Sequence, residues 1–196
     1  MDLVILGDIF CDIIASKVQS LPKWNTDTLA RGGIHTMAGG TGLNNAIHAA
    51  NYIEWLLASG DESNIQYHNF KVHLFGSVCN DVNGNICKLR INNLSPILID
   101  HCISPPIVTE IPFTTSTCIV LSGEEDRCFI TDRGCNLILN SSWFDREGLI
   151  GDSNSLNSPA RKRLLHIAGY YNCDNLSNGL VELLQQVDLF DYYCNE

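Results

Sequence analysis

The sequence predicts an α/β fold, a parallel sheet flanked by helices with a small second β-sheet set against it. Three observations carry this. Short continuous apolar runs end at glycine, at residues 3–6, 71–75 and 163–168. Stretches with apolar residues at helical spacing alternate with these runs. The β-rich runs at 117–122 and 127–132 flank the short turn Gly123-Glu124-Glu125-Asp126, a hairpin signal. Continuous rather than alternating hydrophobicity marks a strand buried on both faces, and strands alternating with amphipathic helices mark a parallel sheet.

The elements follow in order. Residues 3–6, Leu-Val-Ile-Leu, form the first buried strand and stop at Gly7-Asp8. From Cys11 to Met37 polar residues, Pro22 and Gly32-Gly33 loosen the pattern, which fits edge strands or loops. Gly39-Gly40 cannot be helix interior, so a helix begins just after them. Its apolar face is Leu43, Ala46, Ile47, Ala50, Ile53 and Leu57. Residues 71–78 give a second strand. Residues 83–94 give a helix whose apolar residues include Ile86, Leu89 and Leu94. Residues 98–113, with Pro105, Pro106 and Pro112, read as irregular. The hairpin follows, then a polar connection over 140–159, a strand at 163–171, and a helix with Leu176, Leu180, Leu183, Leu184 and Val187 on one face.

Composition narrows the function. A chain of 196 residues, 45% hydrophobic and 17% charged, can build a core of ordinary size. A formal net charge of -10 sets aside nucleic acid and anionic membranes as partners. Nine scattered cysteines form no C-x-x-C pair and no zinc spacing, and no basic leader precedes the first apolar run. The expectation is a cytoplasmic protein with reduced thiols, no metal site of its own and no membrane span. His73 and His166 lie within apolar strand patterns and read as core histidines. Trp24, Trp55 and Trp143 read as packing residues.

The run His35-Thr-Met-Ala-Gly-Gly-Thr-Gly-Leu-Asn-Asn holds the most specific chemistry. A helix N-terminus exposes unpaired N–H groups, and glycines before it allow close approach to the backbone. Asn44 and Asn45 in the first turn can both donate and accept hydrogen bonds, which suits a polyol such as a sugar. The same run is also readable as a glycine turn with an asparagine near the cap. A dinucleotide fingerprint fits less well, because Asn45 stands at the third glycine position and the clear strand lies far upstream.

Five segments in order then resemble the PfkB, or ribokinase-like, family of carbohydrate and nucleoside kinases. Gly-Asp-Ile-Phe-Cys-Asp at 7–12 looks like its opening strand-end motif. The stretch 38–52 looks like its first signature, Gly-Gly-x-Gly-x-Asn-x-Ala. Residues 75–84 are similar to its middle glycine–aspartate segment, 114–136 to its lid hairpin ending in Gly-x-Asn, and 164–172 to the strand that follows. The resemblance runs from Leu3 to about Asn172. It implies a ribokinase-like parallel sheet with a β lid built from about 11–37 and 97–131. It implies ATP-dependent phosphorylation of a sugar or nucleoside hydroxyl, with Mg²⁺.

Carried over residue by residue, the resemblance has Asp12 bind substrate hydroxyls, Gly39 and Gly40 let the backbone approach the sugar, and Asn44 hydrogen-bond it. Asp81 and Gly84 would shape a turn and cap a helix. Asn136 would sit at the lid's exit, and Arg127 would be a solvated charge. Cys79 stands where the family usually has glycine, and Thr115 or Ser116 where it has a Thr-Gly pair. The family's Gly-Ala-Gly-Asp motif, which supplies the anion hole and the catalytic base, does not occur in these 196 residues. The expectation is therefore an inactive N-terminal portion of such a kinase, truncated on its C-terminal side, with no catalytic residue, and with the ATP and Mg²⁺ sites outside it. The alternative is a non-catalytic remnant that binds a sugar or nucleoside, or forms a homodimer through the lid.

Overall fold

The structure is a computed structural model that describes residues 1–60, 68–105, 113–144, 149 and 163–186. The sequence readings placed on 145–148, 150–162 and 187–196 lie outside the described residues, as do those on Pro106 and Pro112.

Two four-stranded sheets carry the chain. In the first, β1 (Asp2–Gly7) and β4 (Val72–Phe75) are central, β5 (Leu98–Asp100) and β8 (Arg163–Ala168) are outer, and all are parallel in the order β5-β4-β1-β8. Val4, Ile5 and Leu6 are each at most 1% exposed. The continuous apolar run has a plain cause, since alternate side chains enter two different cores. Ile5 packs with Val72 and Leu74 beneath helix α1 (Thr41–Ala58) and helix α2 (Val82–Asn92). Val4, Leu6 and Phe75 pack with Leu139, Phe144 and Leu176 on the opposite face, where helix α3 (Leu176–Gln186) begins. Each fully buried aliphatic side chain contributes roughly 1.5–3 kcal/mol.

The second sheet has the order β3-β2-β6-β7, from β2 (Phe10–Ser16), β3 (Ile34–Gly39), β6 (Thr117–Ser122) and β7 (Arg127–Asp132). The β6–β7 hairpin forms as read, closed by the Gly123 N–H donating to the Asp126 carbonyl at 2.8 Å. β2 pairs parallel to β6 and antiparallel to β3. The loosened segment from Cys11 to Met37 therefore supplies both one outer and one inner strand of this sheet.

Several readings are corrected. Leu98–Asp100 is neither irregular nor part of the second sheet; it pairs with β4, in register from Val72↔Leu98. Three residues are too short to show a period. α2 buries Gly84, Cys87 and Ile91 and leaves Leu89 62% exposed, because its core-facing stripe includes a glycine and a cysteine that a hydrophobicity pattern undercounts. α3 buries Leu176 and leaves Leu184 partly exposed. His166 is exposed, and its ring pairs with the Asn45 amide at 2.9 Å. His73 is buried, with its Nδ1 3.0 Å from His101 Nε2. Trp24 and Trp55 are exposed, the latter stacked on Tyr52, while Trp143 packs against the second core. All eight described cysteines are free thiols. Among the described residues no helix is long and apolar enough to cross a membrane.

Candidate functional site

The C-terminal ends of β1 and β3, the start of β2 and the N-terminus of α1 meet at one place. β1 ends at Gly7, and the chain turns through Asp8-Ile9 into β2. β3 returns antiparallel to β2 and ends at Gly39, paired with Phe10. One residue later α1 begins. A strand does directly precede this helix, contrary to the sequence reading, but it belongs to the second sheet and runs antiparallel to its neighbour. The arrangement is thus not a β-α-β dinucleotide unit.

Gly39 and Gly40 have separate structural reasons. Gly40 adopts φ 95° as N-cap of α1, a conformation costly for any residue with a side chain, and a Cβ there would lie 2.8–2.9 Å from the backbone of Asp8, Ile9 and Phe10. At Gly39 a Cβ would lie 2.1 Å from Asp12 Oδ2. The space beside Gly39 is filled by the Asp12 carboxylate, and the space beside Gly40 by main chain. Asp12, in the third position of β2, is half-buried. Burial, and then the nearby Asp8 carboxylate, push its carboxyl above the usual carboxylate range. The Asn44 side chain, in the first turn of α1, is exposed and makes no hydrogen bond to another described residue. Asn45 is the asparagine that is engaged, to His166.

Asp8 and Asn136 organise the junction, and neither was assigned a supporting role there from sequence. Asp8 is 1% exposed. Its Oδ1 accepts from the Gly42 N–H at 2.9 Å and its Oδ2 from the Asn172 amide at 2.7 Å. Its carbonyl accepts from the Gly42 and Leu43 N–H groups. Asn136 is fully buried and grips the Ile9 peptide from both sides. Its Oδ1 accepts from the Ile9 N–H at 3.3 Å, and its Nδ2 donates to the Ile9 carbonyl at 2.9 Å. This ties the exit of the β6–β7 hairpin to the link between the two sheets. The sequence signals were a Gly-Asp pair at a strand end and an asparagine after a hairpin, neither of which reveals a partner over a hundred residues away.

Asp81 caps α2 as read. Its Oδ1 accepts from the Gly84 N–H at 2.7 Å and its Oδ2 from the Thr115 N–H at 2.8 Å. Burial raises its titration, but these two donors outweigh burial and leave the carboxyl below its ordinary value. Cys79, where the sequence departs from glycine, is buried beside Cys135, and its thiol is pushed up to about 12 by burial and then by that neighbour. Such thiols are unreactive. Arg127 is exposed over the Phe129 ring, 5.6 Å from its centroid. A cavity of about 660 Å³ lies at the far end of β2 from Asp12, between Lys17, Arg31, Glu124 and Arg127.

No protein-family model matches the chain, and no curated protein matches it. Solved structures do. The chain is similar to the ribokinase of Thermotoga maritima, with 16% identity and a TM-score of 0.52, over 76% of this chain and 42% of that one. It is similar to the ribokinase of Giardia lamblia, with 18% identity and a TM-score of 0.51, over 72% of this chain and 36% of that one. An apo structure from E. coli, provisionally described as ribokinase II, shares 15% identity with a TM-score of 0.54, over 94% of this chain and 50% of that one. The fold is a ribokinase-like α/β fold, and the chain spans half or less of the length of these structures.

Proposed function

We propose that the chain forms the substrate-holding part of a carbohydrate kinase that transfers phosphate from ATP to a hydroxyl of a sugar or nucleoside. In this reading Asp12 accepts hydrogen bonds from two vicinal hydroxyls, Asn44 donates to and accepts from a third, and Gly39 and Gly40 leave the backbone close enough to pack against the sugar. The observation that carries the reading is a half-buried Asp12 carboxylate packed against Gly39, two residues before α1, with the exposed Asn44 in the first turn of that helix.

We propose that the ATP and Mg²⁺ sites lie outside the described residues. Among them no group of three His, Cys, Asp or Glu side chains is placed to hold a metal ion. The N-termini of α1 and α2, the natural seats for a phosphate, are each filled by an internal carboxylate, Asp8 and Asp81. With no Gly-Ala-Gly-Asp run in the sequence, we assign these residues the substrate contacts only and propose that the chain alone turns over no ATP. A second reading, a non-catalytic binding or dimerising protein, draws on Ile34, Phe129 and Ile130, which are 67%, 55% and 61% exposed on the outer strands β3 and β7.

Calorimetric titration with a panel of sugars and nucleosides tests the first reading. Binding should weaken by roughly tenfold or more in Asp12→Ala and Asn44→Ala, since each removes a hydrogen bond to a charged or amide group. Because Asp12 must be ionised to accept two hydroxyls, affinity should rise with pH through its raised titration. Unchanged affinity in both variants refutes the assignment.

A further inference from the structure

Opposite charges line the cavity at the end of β2 remote from Asp12. β2 and β6 run parallel, in register as far as Ser16↔Ser122, so the two strands end side by side. One wall of the cavity is the β2–β3 connection, with Lys17 and Arg31. The other is the β6–β7 turn, with Glu124, Glu125 and Asp126, followed by Arg127 at the start of β7. Lys17 and Arg31 give the first wall two positive charges. The three acids, offset by Arg127, give the second a net two negative charges. Three of the twelve Lys and Arg residues thus gather at one cavity in a chain whose formal net charge is -10. Its volume of about 660 Å³ falls in the range of roughly 300–1,000 Å³ that takes small molecules.

The two walls do not neutralise each other by direct contact. Among the described residues the ion pairs are His73–Asp2 and Arg133–Asp174, and neither lies here. Arg31 donates to the Gln19 amide oxygen at 3.3 Å, and the Asp126 carboxylate accepts from the Arg127 backbone N–H at 2.7 Å. The side chains of Lys17, Glu124 and Glu125 make no hydrogen bond to a described residue. The backbone beneath is fixed. Lys17 adopts φ 53°, unfavourable for a residue with a side chain. It is held there by the Arg31 N–H on its carbonyl at 3.2 Å and by the Val18 N–H on the Ser122 carbonyl at 2.9 Å. Val18 and Leu121 add an apolar part to the lining.

We propose that this cavity binds a zwitterion of the size of a free amino acid or dipeptide, its carboxylate on Arg31 and Lys17 and its ammonium on Glu124 and Glu125. A lone anion or a lone cation meets one attractive wall and one repulsive wall. A ligand that carries both charges meets two attractive ones. The Arg31 guanidinium can take a carboxylate through two parallel N–H groups. The cavity is separate from the Asp12 junction, so its occupancy does not depend on the polyol reading.

Calorimetric titration of the full chain with free L-amino acids and glycyl-glycine tests this, each beside its N-acetyl and its C-terminal amide form. At least one zwitterion should bind, with both blocked forms weaker by roughly tenfold or more, since each loses hydrogen bonds between charged groups. Arg31→Gln, and separately Glu124→Gln with Glu125→Gln, should weaken the zwitterion by a similar factor. These side chains are exposed, so the variants should fold as the unaltered chain does. Raising ionic strength from about 0.05 M to about 0.5 M should weaken binding further, because the attraction to both walls is screened. Binding of no zwitterion overturns the proposal. So does a blocked form that binds as tightly as its parent, which would mean that one wall alone holds the ligand, and so does affinity that Arg31→Gln leaves unchanged.

Discussion

Asn136→Asp changes one NH₂ to one oxygen at constant shape, in a fully buried position. In the wild type the two backbone partners force the amide's orientation. The Ile9 N–H requires an oxygen and the Ile9 carbonyl requires a donor. An ionised aspartate keeps the first contact and sets a negative oxygen against the carbonyl in the second. A buried charge without a partner costs roughly 3–5 kcal/mol. Asn136→Ala instead leaves two buried backbone groups unpaired, at roughly 1–3 kcal/mol each before water enters the space. For a chain of this size the aspartate variant should melt roughly 6–20 °C below wild type at neutral pH. The sign of its pH dependence is fixed. The folded variant prefers the protonated acid, which donates to the Ile9 carbonyl, so its folded pKa lies above the unfolded value of about 3.9. The deficit relative to wild type should be full near pH 7.5 and shrink as pH falls through that raised pKa. Urea unfolding of wild type and both variants at about pH 7.5 and pH 5 measures it. A deficit that is constant with pH, or a variant as stable as wild type, would refute the two-sided grip on Ile9.

Two further outcomes follow from the same geometry. Gly40→Ala should act on folding, losing roughly 1–3 kcal/mol from the φ of 95° and more from overlap with the Asp8–Phe10 backbone, whereas Gly39→Ala should fold and lose ligand affinity by displacing the Asp12 carboxylate; melting curves beside titration calorimetry separate them. His73 titrates below its ordinary value chiefly because it is buried, with Arg163 and His101 adding to burial and Asp2 opposing it, and burial lowers His101 as well. Both rings are harder to protonate in the fold than in the unfolded chain, so they withdraw stability as pH falls below the unfolded value of about 6.5. The His73→Gln variant should lose less stability than wild type between about pH 7.5 and pH 5.5, read from urea midpoints; an equal or larger loss would count against a neutral buried His73.

Some of this protein could be read before any coordinates. The apolar run at 3–6 announced a strand buried on both faces, because both core-facing sets of side chains lie within it. The start of α1 was legible because Gly40 can only precede a helix, and the Asp81 cap because a capping carboxylate acts within three residues of itself. Those features are local, set by backbone sterics and nearest-neighbour hydrogen bonds. What the sequence could not show is which distant groups share one space. Leu98–Asp100 is a strand only because Val72–Leu74 offers it an edge. Asp12 was singled out from sequence, but its tight packing over Gly39 exists only because β2 and β3 pair in one register. Asp8 and Asn136, separated by most of the chain, hold the same turn from opposite sides. Burial removes water as the competing partner, and it is then three-dimensional proximity, invisible along the chain, that decides which polar group satisfies which.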